Sequence, residues 1–203
     1  TWLEDKLPKP QLRPDASGHT RRPVERVIVF GRIPNPTFDY YLAGRLQAAD
    51  MPPYQVADIR GHELPTLKAE GAFVIICRYV SPSVLRWIER NAQCLSGVGL
   101  LLDDDIPAVV TGRDADIFYR LFLYYRALWP LRRLRRHLDV VWASTAHLAA
   151  RLAEANALVL PPAPLKALWC NTARDTGAPE LAGGKVLIAY HATSVHIEEH
   201  RFL

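Results

Sequence analysis

Cysteine and methionine are scarce in this chain, three and one among 203 residues. Cys77, Cys94 and Cys170 are odd in number and widely spaced, which excludes a disulfide framework and a zinc knuckle. A reducing compartment, the cytoplasm, is the expected setting. No apolar run approaches the roughly 20 residues that a bilayer-spanning helix needs. The opening TWLEDKLPKPQLRPDASGHTRRP lacks the apolar core of a secretory signal. Strong charge imbalance is missing too: the net charge of +4 is informative only because much of it sits in RALWPLRRLRRH. At 49% hydrophobic and 23% charged, the composition excludes both a disordered and a membrane-embedded class. The length suits one domain, or one domain plus pieces. With no initiator methionine, and with VHIEEHRFL stopping at helical spacing, the sequence reads as a fragment.

Residues 1–23 are rich in proline and charge and read as a flexible N-terminal tail. Beyond them, apolar runs alternate with helical spacing. RVIVFG (26–31) is short and β-branched, as a strand buried on both faces should be. Residues 37–50 have helical spacing, with Tyr40, Tyr41, Leu42 and Leu46 as the apolar face. YQVADI and AFVIICR read as the second and third strands, and 82–94 as a helix with Ser81 as N-cap and Pro82 in its first turn. VGLLL and LDVVWA are the fourth and fifth strands, 145–155 a helix, and ALVLP the sixth strand. The alternation predicts an α/β fold over residues 24–164, a Rossmann-like doubly wound parallel sheet. Residues 165–184 have the composition of a linker, with a short helix around 165–170. KVLIAY then opens a new strand, so 185–203 read as the first βα unit of a second, truncated domain.

Ligands of open parallel sheets bind outside the carboxyl ends of the strands. The candidates are therefore the residues that follow each strand. Arg32, Asn35 and Asp39 follow the first, Arg78 the third, Asp103, Asp104 and Asp105 the fourth, and Ser144 and Thr145 the fifth. Together they would line a polar groove for a hydroxylated or charged ligand. Each also has a plainer role. Ser144 and Thr145 suit helix caps, Asn35 between two prolines suits a turn, and Arg32 and Arg78 suit a structural network with the aspartates. Adjacent carboxylates repel when buried, so at least one of the three must be solvated or paired.

RIPNPTFDYYLAGRL, LLLDDDI, DVVWASTAHLAARLAEANALVLPPAP and VLIAYHATSVHIEEHRFL occur in that order. Together they resemble the GT-B-fold glycosyltransferases, specifically the bacterial group 1 or family-4-like enzymes of polysaccharide assembly. The resemblance spans about residues 24–203. It implies two Rossmann-like domains facing each other across a cleft, with this chain supplying the N-terminal, acceptor-side half and the start of the donor domain. It further implies transfer of a sugar from a nucleotide-sugar donor to a glycan or lipid-linked glycan acceptor. By position, the donor diphosphate would meet His191, Ala192, Thr193, Ser194 and His196, where backbone N–H groups at a helix start favour anions. Many family members carry glycine in that loop; Ala192 and the neighbouring histidine leave less room. No metal or other cofactor is expected to be required. The family's acidic donor-sugar motif would lie beyond Leu203, so this fragment alone is expected not to turn over. Of the aspartates, one is expected to orient the acceptor or act as base toward its hydroxyl, the others to hold the loop. The alternative from another class is a stand-alone Rossmann-like module that binds a saccharide or nucleotide without catalysis.

Asp103 and Asp105 also spell the D-x-D that binds Mn²⁺ or Mg²⁺ in the GT-A fold, against which the GT-B-like second half argues. HIEEH (196–200) matches the H-x-x-E-H pattern of inverted zinc peptidases, but nothing in the chain supplies a third ligand. In 116–138, Phe118, Leu121, Phe122, Tyr125, Leu128 and Trp129 follow helical spacing and are expected to pack on the sheet, with Pro130 breaking or kinking the helix. Arg132, Arg133, Arg135 and Arg136 then form either a solvated basic turn or a patch for anionic lipid headgroups, with tryptophan and tyrosines at the interface. The second option places the protein peripherally at the inner face of the membrane. No nucleic-acid module accompanies the cluster, so nucleic acid is not an expected partner.

Overall fold

The computed structural model describes Trp2 and residues 4–16, 20–113, 115–152 and 155–169. Six strands, β1 (Arg26–Gly31), β2 (Tyr54–Asp58), β3 (Ala72–Cys77), β4 (Gly97–Leu102), β5 (Val140–Ala143) and β6 (Leu158–Val159), form one open sheet in the order β2-β1-β3-β4-β5-β6. Every neighbouring pair is parallel. The Rossmann-like α/β expectation therefore holds, with the direction of winding reversing between β1 and β3.

The apolar runs follow from burial on both faces. Along β1, Ile28 and Phe30 join one cluster with Val74, Ile76, Val98 and Leu100, while Val27 and Val29 join the other with Ile75 and Leu101. No position is left for a polar side chain, so alternation gives way to a continuous apolar run. Close approach also matters: a Cβ on Gly99 would lie 2.3 Å from the Trp142 ring on the neighbouring strand.

Helices cover both faces. Helices α1 (Pro36–Tyr41) and α2 (Ala43–Leu46) lie over the smaller cluster, which takes Leu42 and Leu46. Helix α3 (Pro82–Asn91) lies over the larger one, its first turn held by the Ser81 hydroxyl, which accepts from Val84 N at 3.2 Å. Val84, Leu85 and Ile88 on its inner face are buried, each contributing about 1.5–3 kcal/mol. The remaining helices are α4 (Ile106–Thr111), α5 (Ile117–Leu123, continued by a π-helical turn Tyr124–Leu128), α6 (Leu131–Leu134), α7 (Ala146–Arg151) and α8 (Lys166–Trp169).

Two expectations need correction. The helix expected over 37–50 is two short pieces broken at Leu42, and Tyr40 is exposed rather than part of the buried face. The break lets Leu42, Ala43 and Leu46 reach the sheet together. In the basic-aromatic segment, Phe118 is 78% exposed and Tyr125 60%, and Leu121 and Trp129 are exposed as well. Of the expected face only Leu128 is fully buried, and it packs with Leu123, Ala127, Leu131 and Leu134. Two apolar stripes share this stretch, and periodicity cannot tell which one the sheet takes; it takes the compact aliphatic one. Phe122 is half-buried against Tyr79, ring centroids 5.5 Å apart. Pro130 does end the first helical stretch, and α6 restarts immediately after it.

The described part of the N-terminal segment is clamped to the domain. Asp139, 4% exposed, accepts from Val98 N at 2.8 Å, and its two oxygens pair with Arg13 Nε at 2.6 Å and Arg21 Nη2 at 2.9 Å. Arg21 also donates to the carbonyl oxygens of His137 and Ala92. The chain after Trp169, including the expected second-domain strand, lies outside the described residues.

Removing this carboxylate leaves the Val98 amide without its acceptor and Arg13 and Arg21 without their counter-charge. Asp139→Ala is expected to cost about 3 kcal/mol of unfolding free energy in urea titration. A loss below about 1 kcal/mol would mean the segment is held by something else.

Candidate functional site

The carboxyl ends of β1, β3, β4 and β5 converge on one polar cluster. After β1 the chain turns through a cis Ile33–Pro34 bond to Asn35, whose Oδ1 caps α1 by accepting from Phe38 N at 3.1 Å. Gly31 is required beneath it, since a Cβ there would lie 2.0 Å from Asn35 Nδ2. That Nδ2 is buried without a hydrogen-bond partner. Beside it, burial pushes the Cys77 thiol up to about 12, so this cysteine stays a neutral thiol.

Arg78 follows β3 with a φ of +59°, an uncommon conformation for a residue with a side chain. Its Nε donates to Thr37 Oγ1 at 2.9 Å, and its Nη1 donates to Asp104 Oδ2 at 2.6 Å. Thr37 passes the chain on, its hydroxyl donating to Asp103 Oδ2 at 3.0 Å. Asp103 Oδ1 lies 2.6 Å from Arg78 Nε, yet that N–H is aimed at Thr37, so the contact is an ion pair without a hydrogen bond. This carboxylate oxygen is buried and unbonded. Ser144, itself buried, donates its hydroxyl to the Asp103 backbone carbonyl at 3.1 Å. Burial first, then the negative charge of Asp103, raises the Tyr41 phenol above its usual range.

The three aspartates thus take three roles. Asp103 is mostly covered by the cluster, with 10% of its side chain exposed, whereas Asp104 is 52% exposed and closes the rim. Asp105 turns away: it caps α4 by accepting from Ala108 N at 3.2 Å and pairs with Arg151 Nε at 2.6 Å. Arg151 in turn holds Glu4 at 2.9 Å, drawing the N-terminal segment over an apolar cavity of about 320 Å³ beneath Leu128, Leu131 and Leu148. Asp103 and Asp105 therefore do not face each other as a D-x-D pair. Among the described residues no three His, Cys, Asp or Glu side chains group as a metal site.

Of the other candidates, Asn35, Arg78 and Ser144 are brought together here. Thr145 is the N-cap of α7, accepting from Leu148 N at 3.1 Å. Asp39 is exposed on α1, and Arg32 lines a different cavity. Arg132, Arg133, Arg135 and Arg136 take no part in this cluster: Arg132 lies 4.7 Å from the Trp129 ring centroid and lines a surface cavity with Arg135, Arg133 pairs with Glu89, and Arg135 and Arg136 are exposed. His191, Ala192, Thr193, Ser194, His196 and the HIEEH segment lie outside the described residues. Thr37 and Tyr41 were missed from sequence, the only signal being their place in the first helix after β1. No protein-family model, curated protein or solved structure matches the chain.

Burial pushes the Asp103 carboxyl above its ordinary 3.8, against the pull of Arg78. The folded state then holds that proton more tightly than the unfolded chain, so ionisation of Asp103 subtracts stability as pH rises through the window from 3.8 to the raised value. Asp103→Asn does not titrate. In urea unfolding at successive pH values, wild type is expected to lose stability relative to the variant across that window. Parallel curves would show that Asp103 ionises equally well folded and unfolded.

Proposed function

We propose that this chain is the acceptor-side half of a GT-B-like glycosyltransferase, with a glycan or lipid-linked glycan bound at the Asp103–Arg78 cluster. One observation carries the reading: a buried carboxylate oxygen with no hydrogen bond, at the open end of a parallel sheet and backed by a guanidinium. Such an oxygen keeps a lone pair for a sugar hydroxyl, which would reach it on displacement of the exposed Asp104 side chain at the rim. Its raised pKa makes it a stronger base than an exposed aspartate.

In the proposed reaction the acceptor O–H donates to Asp103 Oδ1. As the proton moves to the carboxylate, the acceptor oxygen bonds to the anomeric carbon of the nucleotide-sugar. The bond from that carbon to the diphosphate oxygen breaks, and its electron pair leaves with the diphosphate. Arg78 holds Asp103 and Asp104 in place, and Asp104 at the rim orients the acceptor. The donor would be met by residues 191–194 and 196.

The exposed stripe of Ile117, Phe118, Leu121, Tyr125 and Trp129 fits a second part of the reading. It runs into Arg132, whose guanidinium lies over Trp129. An apolar strip ending in cations is complementary to an anionic bilayer surface, where a lipid-linked acceptor would be found. Among the described residues no helix is long and apolar enough to cross a membrane, so attachment would be peripheral.

In donor screens with protein expressed from its full gene, Asp103→Asn is expected to lower kcat by about 100-fold or more, and Asp104→Asn to lower it sharply. An unchanged rate removes the substituted aspartate from the chemistry. Saccharide binding with no transfer from any nucleotide-sugar would favour the non-catalytic binding module instead. In vesicle sedimentation, the protein should pellet with anionic but not neutral liposomes, and Phe118→Ser should weaken it. Equal behaviour on both lipids would sink the membrane role.

A further inference from the structure

On the other side of the loop after β1 lies a separate cavity of about 620 Å³, at the point where the winding of the sheet reverses. Four arginines line it, each from a different element: Arg32 after β1, Arg60 after β2, Arg86 on α3 and Arg126 in the π-helical turn. Only Arg60 is neutralised, by Asp58 at 2.6 Å. The side chains of Arg32, Arg86 and Arg126 have no hydrogen-bond or ion-pair partner among the described residues.

A sphere of that volume is about 10 Å across, on the order of a Debye length. Arg32 and Arg86 are exposed and Arg126 half-buried, so the three guanidinium groups give the concavity a positive field that favours a counter-charge. Nothing in the packing of the core calls for them, because all three lie outside the buried clusters. Ser81 and Ser83 add a donor: their hydroxyls share one bond at 2.8 Å, so whichever donates, one hydroxyl hydrogen stays uncommitted. Ile33, Ile59 and the half-buried Phe122 supply an apolar wall.

The donor geometry selects the ligand. A carboxylate brings one charge and two oxygens, too little for three forked cations. A phosphate monoester or diphosphate brings about two or more charges with at least three oxygens, and guanidinium forks match them bidentately. The site is also concave rather than a stripe, which suits a small molecule better than a polymer backbone. We propose that this cavity binds a phosphorylated small molecule, its phosphate or diphosphate held by Arg32, Arg86 and Arg126 and its carbon skeleton against Phe122. The assignment stands on the arginines alone. It goes beyond the transferase reading, whose acceptor is placed at the Asp103–Arg78 cluster, outside this cavity.

The test is isothermal titration of the 203-residue chain with pyrophosphate and, separately, glucose 6-phosphate, at low and raised ionic strength. Saturable binding of at least one probe is expected, weakening with salt. Arg86→Ala and Arg126→Ala should each weaken it about tenfold, while Arg135→Ala, outside the cavity, should leave it unchanged. Tighter binding of glucose 6-phosphate supports a sugar phosphate, and tighter binding of pyrophosphate a diphosphate. No binding of either probe overturns the proposal, as does equal binding by wild type and both cavity variants with circular dichroism confirming that they fold. Because the readout is binding rather than turnover, its failure leaves the transferase reading standing, and failed transfer leaves this site standing.

Discussion

A parallel sheet covered on both faces has nowhere to put a polar side chain except at the ends of its strands. That constraint orders the molecule. Residues such as Val29, Phe30, Val74 and Leu101 are almost wholly removed from water, so hydrogen-bonding chemistry is driven to the two rims. At the amino-terminal rim Asp139 spends both oxygens on Val98, Arg13 and Arg21 and closes that end with the N-terminal segment. At the carboxyl rim the corresponding carboxylate, Asp103, is left with an unspent oxygen. One rim is a closed clasp and the other keeps a buried acceptor in reserve.

The cluster at the carboxyl rim depends on a residue in a costly backbone conformation. Arg78 stands at φ +59°, where a side chain typically costs about 1–3 kcal/mol. From there its guanidinium reaches Thr37, Asp103 and Asp104 at once. The cluster satisfies Asp103 electrostatically while leaving its hydrogen-bonding capacity incomplete, which is the state a ligand hydroxyl would complete. On the far side of the same loop, the cavity of Arg32, Arg86 and Arg126 has the opposite sign. Two polar clusters of opposite charge thus flank the β1–α1 connection.

Much of the scaffold was legible because local signals and burial agreed. Ser81 before Pro82 announced α3, and the β-branched runs announced β1 and β3. The aspartate triplet was legible as a site but not as three separate roles. Asp105 followed by Pro107 is an ordinary helix-start signal, and it sends that carboxylate to Arg151 rather than into the cluster. The aromatic segment misled because Phe118, Tyr125 and Trp129 share the helical period with Leu123, Ala127 and Leu131. Period identifies a stripe, not its destination.

Hydrophobic patterning by itself determined that strands and helices alternate, that the central strands β1, β3 and β4 are buried on both faces, and where most elements start. Those properties depend on neighbours within a few residues, through caps, prolines and apolar spacing. Tertiary structure decided which charges meet: Arg78 but not Arg32 with Asp103 and Asp104, of the network the sequence suggested, Arg21 with Asp139 across 118 positions, and four arginines from four elements around one cavity. Strand order sets those meetings. Side chains far apart in the chain become neighbours only when the sheet places their strand ends side by side, and no local pattern records that order.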